Sequence, residues 1–274
     1  MLRTIGMPMV LYIKAQKRFC LIFLMVALLS LMAVTIPLRS PLIRVISAAS
    51  IATSVPVPMA KPTSAVTSAG ASLIPSPTIP TIKPWNIEAV LEKLDILNAS
   101  GIFAAAMDID GAGLPFLKKM NPNAGSKSVR DLREIITYSK LPFIIKGVMT
   151  ARGAEKAVEA GAAGIVVSNH GGRVLGQCAA TAEVLPEIVR AVSGKTVIFV
   201  DGGIRTGMDV FKALALGADA AMIGRPFVIA GHGGGAEGIA AYAEHINKQL
   251  CNIMLLCGAA DIRAISREMV RIES

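Results

Sequence analysis

The chain has 274 residues, of which 53% are hydrophobic, so it is long enough to enclose a large core. Its formal net charge is +9, but beyond the N-terminus the basic residues are scattered beside acids and form no run interleaved with aromatic residues, which argues against nucleic-acid binding. The four cysteines show neither CxxC spacing nor histidines at metal-ligand spacing. We therefore predict neither a disulfide framework nor a metal site.

Residues 1–45 combine a basic N-terminus with an apolar segment. The first 18 residues contain four cations and no acid, and Phe19–Leu38 is an uncharged run of 20 residues. A helix of that length spans the roughly 30 Å of a bilayer core, so the pattern favours a signal anchor, that is, a transmembrane segment, or a long signal peptide. The alternative is a displaced N-terminus with no membrane role. The sequence thus leaves a cytoplasmic and a membrane-associated location open.

Residues 46–84 are rich in Pro, Ser, Thr and Ala, and their only charged residues are Lys61 and Lys83. Repeated prolines are incompatible with long helices and with central strands. We predict a linker.

From residue 85 to residue 274, amphipathic helices alternate with short apolar strands. The predicted helices are Ile87–Asn98, Ser128–Tyr138, Ala151–Ala160, Ala180–Val192 and Met208–Leu216. Each precedes one of five apolar segments: Gly101–Ile109, LPFIIKG, AGIVVSN, TVIFVDGG and ADAAMIGRP. Strands buried on both faces and joined by helices predict an α/β fold with a parallel sheet. Since a complete β/α barrel takes about 250 residues, five strands in about 190 residues predict an incomplete one.

Polar residues follow every predicted strand. In parallel β/α proteins the functional groups gather at these carboxyl ends, so we predict a site there. The segments concerned are MDID with Asp108 and Asp110, Lys146, SNHGGR from Ser168 to Arg173, DGGIR from Asp201 to Arg205, and GRP from Gly224 to Pro226.

The last two of these loops predict a phosphate site. Gly202 and Gly203 allow the backbone to approach an anion, and Arg205 and Arg225 offer bidentate donors. The alternative is that the glycines serve tight turns only. A GxGxxG fingerprint is absent, which argues against a nicotinamide-binding Rossmann domain.

The SNHGGR loop predicts the reaction. His170, flanked by glycines, is a candidate general base, and Arg173 is a candidate clamp for a substrate carboxylate. Asp110 is the candidate partner that orients the imidazole. Lys146 would place a cation at the inner rim, where it could stabilise negative charge on a bound group; the alternative is a lysine that extends into solvent.

Several segments together resemble the FMN-dependent α-hydroxy-acid dehydrogenase/oxidase family, which includes lactate and glycolate oxidases. They are LPFIIKGV, GAAGIVVSNHGGR, ATAEVLPEIV, FVDGGIRTGMDVFKALALGADAAMIGRP and the closing LCG. MDIDGAGLPFLKKMNP further resembles a bacterial subgroup labelled α-hydroxy-acid oxidising protein. The resemblance implies a TIM-type barrel, non-covalent FMN, and oxidation of an L-2-hydroxy acid to a 2-oxo acid.

The resemblance also implies roles for individual residues. His170 would be the base, paired with Asp110, and Arg173 the carboxylate anchor. FMN would contact Lys146, Ser168 and Asp201 through its flavin and ribityl chain, and Gly203, Arg205, Gly224 and Arg225 through its phosphate, with Gly202 beside them. Two features depart from the family: Asp108 stands where the family usually has threonine, and the upstream strands are not recognisable.

Two alternatives to the oxidoreductase remain at the level of sequence. One is a non-catalytic remnant or scaffold that keeps part of the barrel, and the other is a different barrel enzyme that binds FMN or phosphate. The expected partner is a small 2-hydroxy acid, with a membrane contact through residues 19–38. The sequence leaves open whether the chain forms a homo-oligomer.

Overall fold

The computed structural model describes residues 10–13, 21–24, 79–100, 102–120 and 122–271. Eight strands form one sheet in the order β2-β1-β8-β7-β6-β5-β4-β3. The strands are β1 Val10–Ile13, β2 Leu21–Leu24, β3 Thr81–Ile82, β4 Ala105–Asp108, β5 Phe143–Val148, β6 Gly164–Val167, β7 Val197–Val200 and β8 Ala220–Ile223. From β3 to β8 all neighbours are parallel, as the sequence predicts.

The five predicted helices lie between the strands as expected, with ends within one or two residues of the predicted ones. The structure adds α2 and α7, and the full set is α1 Ile87–Ala99, α2 Pro115–Lys118, α3 Val129–Ser139, α4 Ala151–Glu159, α5 Thr181–Val192, α6 Gly207–Ala215 and α7 Arg225–Leu256. Local sequence explains several starts: Ser128 with Asp131, and Thr206 with Asp209, form capping boxes at α3 and α6.

Three expectations need correction. The parallel strands number six rather than five, because Thr81–Ile82 pairs with β4 although it belongs to the proline-rich segment. The first predicted strand begins at Ala105 rather than Gly101. Helix α7 was not predicted, because Gly233, Gly234 and Gly235 interrupt its pattern; the backbone kinks there, and Gly235 has a φ of 57°.

The sheet edge at β8 also differs from expectation. A parallel sheet without the upstream strands would have two open edges, but here β1 pairs antiparallel with β8, and β2 pairs antiparallel with β1. Most of Phe19–Leu38 and of the predicted linker lies outside the described residues. The described part of the apolar run, Leu21–Leu24, is strand β2. Among the described residues no helix combines the length and apolarity needed to cross a bilayer.

The two faces of the sheet have different cores. The outer face packs against the helices in the larger core, through residues such as Met107, Ile145 and Val167. The inner face carries a smaller apolar layer: Ile79, Ala104, Ala106, Ile144, Val166, Phe199, Ala220 and Met222. Because side chains alternate along a strand, the residues two positions beyond this layer share its face at the carboxyl ends of the strands. This alternation positions the site.

Candidate active site

Strand alternation puts four polar residues directly above the inner apolar layer. Asp108 follows Ala106 by two positions, Lys146 follows Ile144, Ser168 follows Val166, and Asp201 follows Phe199. Their side chains are in contact: Lys146 Nζ lies 3.0 Å from Ser168 Oγ, 3.4 Å from Asp108 Oδ1 and 3.5 Å from Asp201 Oδ2. A buried ammonium thus joins groups from four strands.

Lys146 keeps its charge in this setting. Burial alone would lower the pKa of its ammonium, but the carboxylates of Asp201, Asp108 and Asp110 outweigh burial and hold that pKa above its ordinary value. The lysine does not extend into solvent, since its side chain is only 9% exposed. A fixed cation therefore lies at the inner rim, as the sequence suggests.

His170 lies at the same mouth, in a short 3₁₀ turn after β6. Its Nδ1 is 2.5 Å from Oδ2 of Asp110, the partner predicted from the sequence. Burial alone would lower the pKa of His170, but the carboxylates of Asp108 and Asp110 raise it above its ordinary value. The imidazole is thus stabilised in its protonated form.

The backbone of the HGG turn is held in an unusual conformation. His170 has a φ of 53°, in the left-handed region that residues other than glycine seldom adopt. The Asn169 side chain accepts hydrogen bonds from the amides of Gly171 (2.9 Å) and Gly172 (3.2 Å), which fixes the turn. Such conformations are retained where the surroundings hold a functional side chain in place.

Arg173 is close to His170 through the backbone. Its Nε donates to the His170 carbonyl at 3.0 Å, and the side chain is otherwise exposed. The guanidinium of Arg225, at the start of α7, lies over the same turn, because a Cβ added to Gly171 would be 3.0 Å from its Nη2. Two guanidinium groups therefore flank the histidine turn.

The backbone of the loop after β7 is accessible at its two glycines. Gly202 and Gly203 have φ values of 91° and 79°, and no heavy atom lies within 4 Å of where a Gly203 Cβ would stand. Arg205 follows, and its carbonyl accepts a 2.5 Å hydrogen bond from Tyr242 of α7. Within the described part of the chain neither Arg205 nor Arg225 forms an ion pair, so both are available to an anion.

These features fit a phosphate-bearing flavin. The glycine loop and the two guanidinium groups suit a phosphate, and the fixed Lys146 ammonium suits a ring that gains negative charge. Oδ1 of Asp110 is buried without a hydrogen-bond partner among the described residues, so a donor from a bound molecule would stabilise it.

Asp108, Asp110 and His170 are also close enough to ligate a cation, with candidate ligand atoms within 4.8 Å of one another. The protein's own cations already neutralise this group: Lys83 and Lys146 pair with Asp108, and His170 pairs with Asp110. The sequence expectation of no metal stays a prediction.

Two residues of the site were missed from the sequence. Lys83 was assigned to the linker, yet its Nζ lies 2.5 Å from Oδ2 of Asp108. Its position just after β3 is the signal that would have found it, had that strand been recognised. Gly147 was also missed: it has a φ of 97°, and a Cβ there would lie 2.5 Å from Cγ of Asp110. Only its lack of a side chain makes room for that carboxylate.

Known proteins show the same architecture. The chain aligns with a mandelate oxidase bound to benzoyl-formic acid at a TM-score of 0.63 and 31% identity, covering 69% of this chain and 62% of the other. A putative lactate oxidase of Pediococcus acidilactici gives a TM-score of 0.65 and 32% identity, covering 70% and 60%. Both neighbours are named as oxidases, and the shared parallel sheet with alternating helices confirms the predicted α/β fold class.

The sequence comparisons agree. A peroxisomal (S)-2-hydroxy-acid oxidase of Oryza sativa subsp. japonica is 45% identical over 148 residues, which is 54% of this chain and 40% of the relative. An L-lactate oxidase of Lactobacillus jensenii is 40% identical over 169 residues, 62% of this chain and 41% of the relative. The chain therefore matches about two fifths of the length of each of these relatives.

The family model for FMN-dependent dehydrogenases matches residues 81–272. The chain belongs to this family. The family confirms FMN as the cofactor expected from the sequence, and the matched range begins at β3, in agreement with the sixth parallel strand.

Proposed function

We propose that the protein oxidises a small L-2-hydroxy acid to the 2-oxo acid with FMN as its cofactor. The observation that carries this proposal is the pairing of His170 with Asp110 beside the buried Lys146, at one mouth of the sheet. Relatives named as 2-hydroxy-acid and lactate oxidases support it.

The residues divide into a cofactor group and a substrate group. Lys146, Ser168 and Asp201 would hold the flavin and ribityl parts of FMN, and Gly202, Gly203, Arg205, Gly224 and Arg225 its phosphate. When bound, FMN supplies the acceptor for the two electrons removed from the substrate. Arg173 would anchor the substrate carboxylate, which orients the α-carbon toward His170.

His170 would take a proton from the substrate. Because Nδ1 is bonded to Asp110, Nε2 is the nitrogen left to take the substrate proton. Asp110 stabilises the imidazolium that forms, and Lys146 supplies a positive charge where negative charge develops. The base must be neutral to act, so activity should fall at low pH.

A flavin spectrum of the purified chain tests the proposal. We expect bound FMN that is bleached by a 2-hydroxy acid from a panel that includes lactate, glycolate and mandelate. His170→Ala should retain the flavin spectrum and lose the bleaching, whereas His245→Ala, on the exposed face of α7, should retain both. Undiminished bleaching in His170→Ala would remove this histidine from the reaction.

If the protein is instead a non-catalytic scaffold, we expect neither bound FMN nor bleaching by a 2-hydroxy acid. The chain spans only part of its relatives, and a colourless protein that ignores added FMN would favour a non-catalytic role.

A further inference from the structure

His170 lies between two carboxylates, one at each ring nitrogen. Oδ2 of Asp110 is 2.5 Å from Nδ1, and Oδ2 of Asp108 is 3.6 Å from Nε2. The first distance is a hydrogen bond, whereas the second is too long for one but short enough for strong charge attraction. Asp108 therefore acts on the nitrogen that Asp110 leaves free.

Asp108 is itself held by two lysines. The oxygen that faces His170, Oδ2, is 2.5 Å from Nζ of Lys83, while Oδ1 is 3.4 Å from Nζ of Lys146. Its side chain is only 2% exposed, so solvent screens these charges little. Burial alone would raise the pKa of Asp108, but Lys146, His170 and Lys83 hold it well below its ordinary value, and the group stays charged.

We infer that Lys83 and Asp108 form a positioning pair for His170, in which Asp108 holds a proton on Nε2 and Lys83 weakens that hold. Both residues act through one oxygen atom, Oδ2 of Asp108. Nζ of Lys83 lies 2.5 Å from this oxygen, and Nε2 of His170 lies 3.6 Å from it. The two residues thus have opposite effects on the same nitrogen.

Other charges around the ring do not produce this opposition. Asp110 acts on Nδ1, and Lys146, which contacts Asp108 and Asp201, disfavours protonation of the ring whichever variant is made. Arg173 and Arg225 lie along the backbone of the turn. Opposite changes in the pKa of His170 on substitution of Lys83 and of Asp108 are therefore specific to this pair.

The pair bears on the proposed oxidation, and that part of the inference rests on the proposed function. A base that takes the substrate proton at Nε2 must first be free of its own proton. Asp108 would thus raise the pH at which His170 becomes neutral and the reaction begins. Lys83 would lower that pH. The acidic side of the rate profile would report on the balance.

Histidine NMR tests the pair without any turnover. The chain has three histidines, so ¹⁵N-histidine labelling of the protein without added FMN gives few signals, and His170→Gln assigns the one of interest. In Asp108→Asn we expect the titration midpoint of His170 to fall by about one to three pH units. In Lys83→Met we expect it to rise by a smaller amount, because the ammonium is one group further from the ring.

Matched variants on the surface are the controls. Lys248→Met and Asp261→Asn remove the same charges from exposed ion pairs and should leave the His170 midpoint unchanged. If Asp108→Asn does not fold because two lysines lose their partner, the double variant Lys83→Met/Asp108→Asn removes both charges, and its midpoint should lie below that of Lys83→Met. Equal midpoints in these two variants, or shifts of the same sign in the two single variants, overturn the inference.

Rate profiles connect the pair to catalysis. The acidic limb of kcat/KM should move in the same direction as the NMR midpoint, down in Asp108→Asn and up in Lys83→Met. If the His170 midpoint moves in opposite directions in the two variants but the protein shows no turnover, the positioning role of Lys83 and Asp108 is supported and the proposed function is contradicted. Turnover with an acidic limb that ignores both substitutions contradicts the pair and leaves the proposed function standing.

Discussion

Oδ2 of Asp110 lies 2.5 Å from Nδ1 of His170, although the two residues are 60 positions apart in the chain. Asp110 belongs to a 3₁₀ turn after β4, and His170 to a turn after β6. Strand β5 runs between them, and its Gly147 leaves the space that the Asp110 carboxylate occupies. The pair therefore depends on three consecutive parallel strands ending at one level.

Asp110→Asn should preserve the shape of the pair and remove its charge. We expect kcat/KM for the best 2-hydroxy acid to fall about a hundredfold or more, because the amide cannot stabilise the imidazolium. Flavin content should stay close to that of the unchanged protein. Asp261→Asn, which alters an exposed carboxylate, is the control for steady-state kinetics. A kcat/KM within twofold of normal in Asp110→Asn would show that this carboxylate does not support the base.

Gly147→Ala should destabilise the protein and displace Asp110. The added methyl group would lie 2.5 Å from Cγ of Asp110, and a φ of 97° is unfavourable for any residue with a side chain. We expect the free energy of unfolding in urea to fall by about 1–3 kcal/mol. Gly125→Ala is the matched control, since nothing lies within 4 Å of its Cβ position. Equal stability of the two variants would contradict this account of Gly147.

Stability should depend on pH through His170. Its pKa is higher in the folded protein than the ordinary value of 6.5, so its stabilising contribution is complete below pH 6.5 and is lost as pH rises through the folded pKa. Each unit of elevation corresponds to about 1.4 kcal/mol. Urea unfolding of the FMN-free protein, followed from about pH 6 to about pH 9, measures the loss.

The loss above pH 6.5 should disappear in His170→Gln and persist in His245→Gln, because His245 lies on the exposed face of α7 and is not among the groups that shift the pKa of His170. A stability that rises across the same range in the unchanged protein would mean that His170 is neutral when folded.

Arg205→Met and Arg225→Met should weaken FMN binding. A hydrogen bond to a charged group contributes about 1.5–3 kcal/mol, so each loss should raise Kd for FMN roughly tenfold to a hundredfold. Fluorescence titration of the stripped protein measures the change. Arg130→Met, on the exposed side of α3, should bind like the unchanged protein. Normal affinity in both site variants would place the phosphate elsewhere.

Much of the site was predictable because strand ends are visible in a sequence. Apolar runs bounded by glycine mark β5 to β8, and polar residues just after them must lie at one edge of a parallel sheet. Lys146, Ser168, His170 and Asp201 were placed on that basis, and the structure brings them into one cluster. The pairing of His170 with Asp110 also followed.

The contact between Lys83 and Asp108 could not be predicted from the sequence. Strand β3 has only two residues and follows a proline-rich segment, so no periodicity distinguishes it from the linker. Its hydrogen bonds to β4 are long-range contacts, and they define the strand only once the sheet has formed. The partner of Asp108 could therefore not be assigned from local pattern.

The sequence alone determined the order of β4 to β8 and of the five helices that precede them, the sheet edge at which the polar residues after these strands lie, and the family, because these follow from periodicity and short motifs. Only the tertiary structure decided that Asp108 is buried between two lysines and a histidine, and that Gly147 makes room for Asp110. Distances between charges on separate strands depend on sheet register and on a bulge after Lys146, and neither is encoded by any single segment.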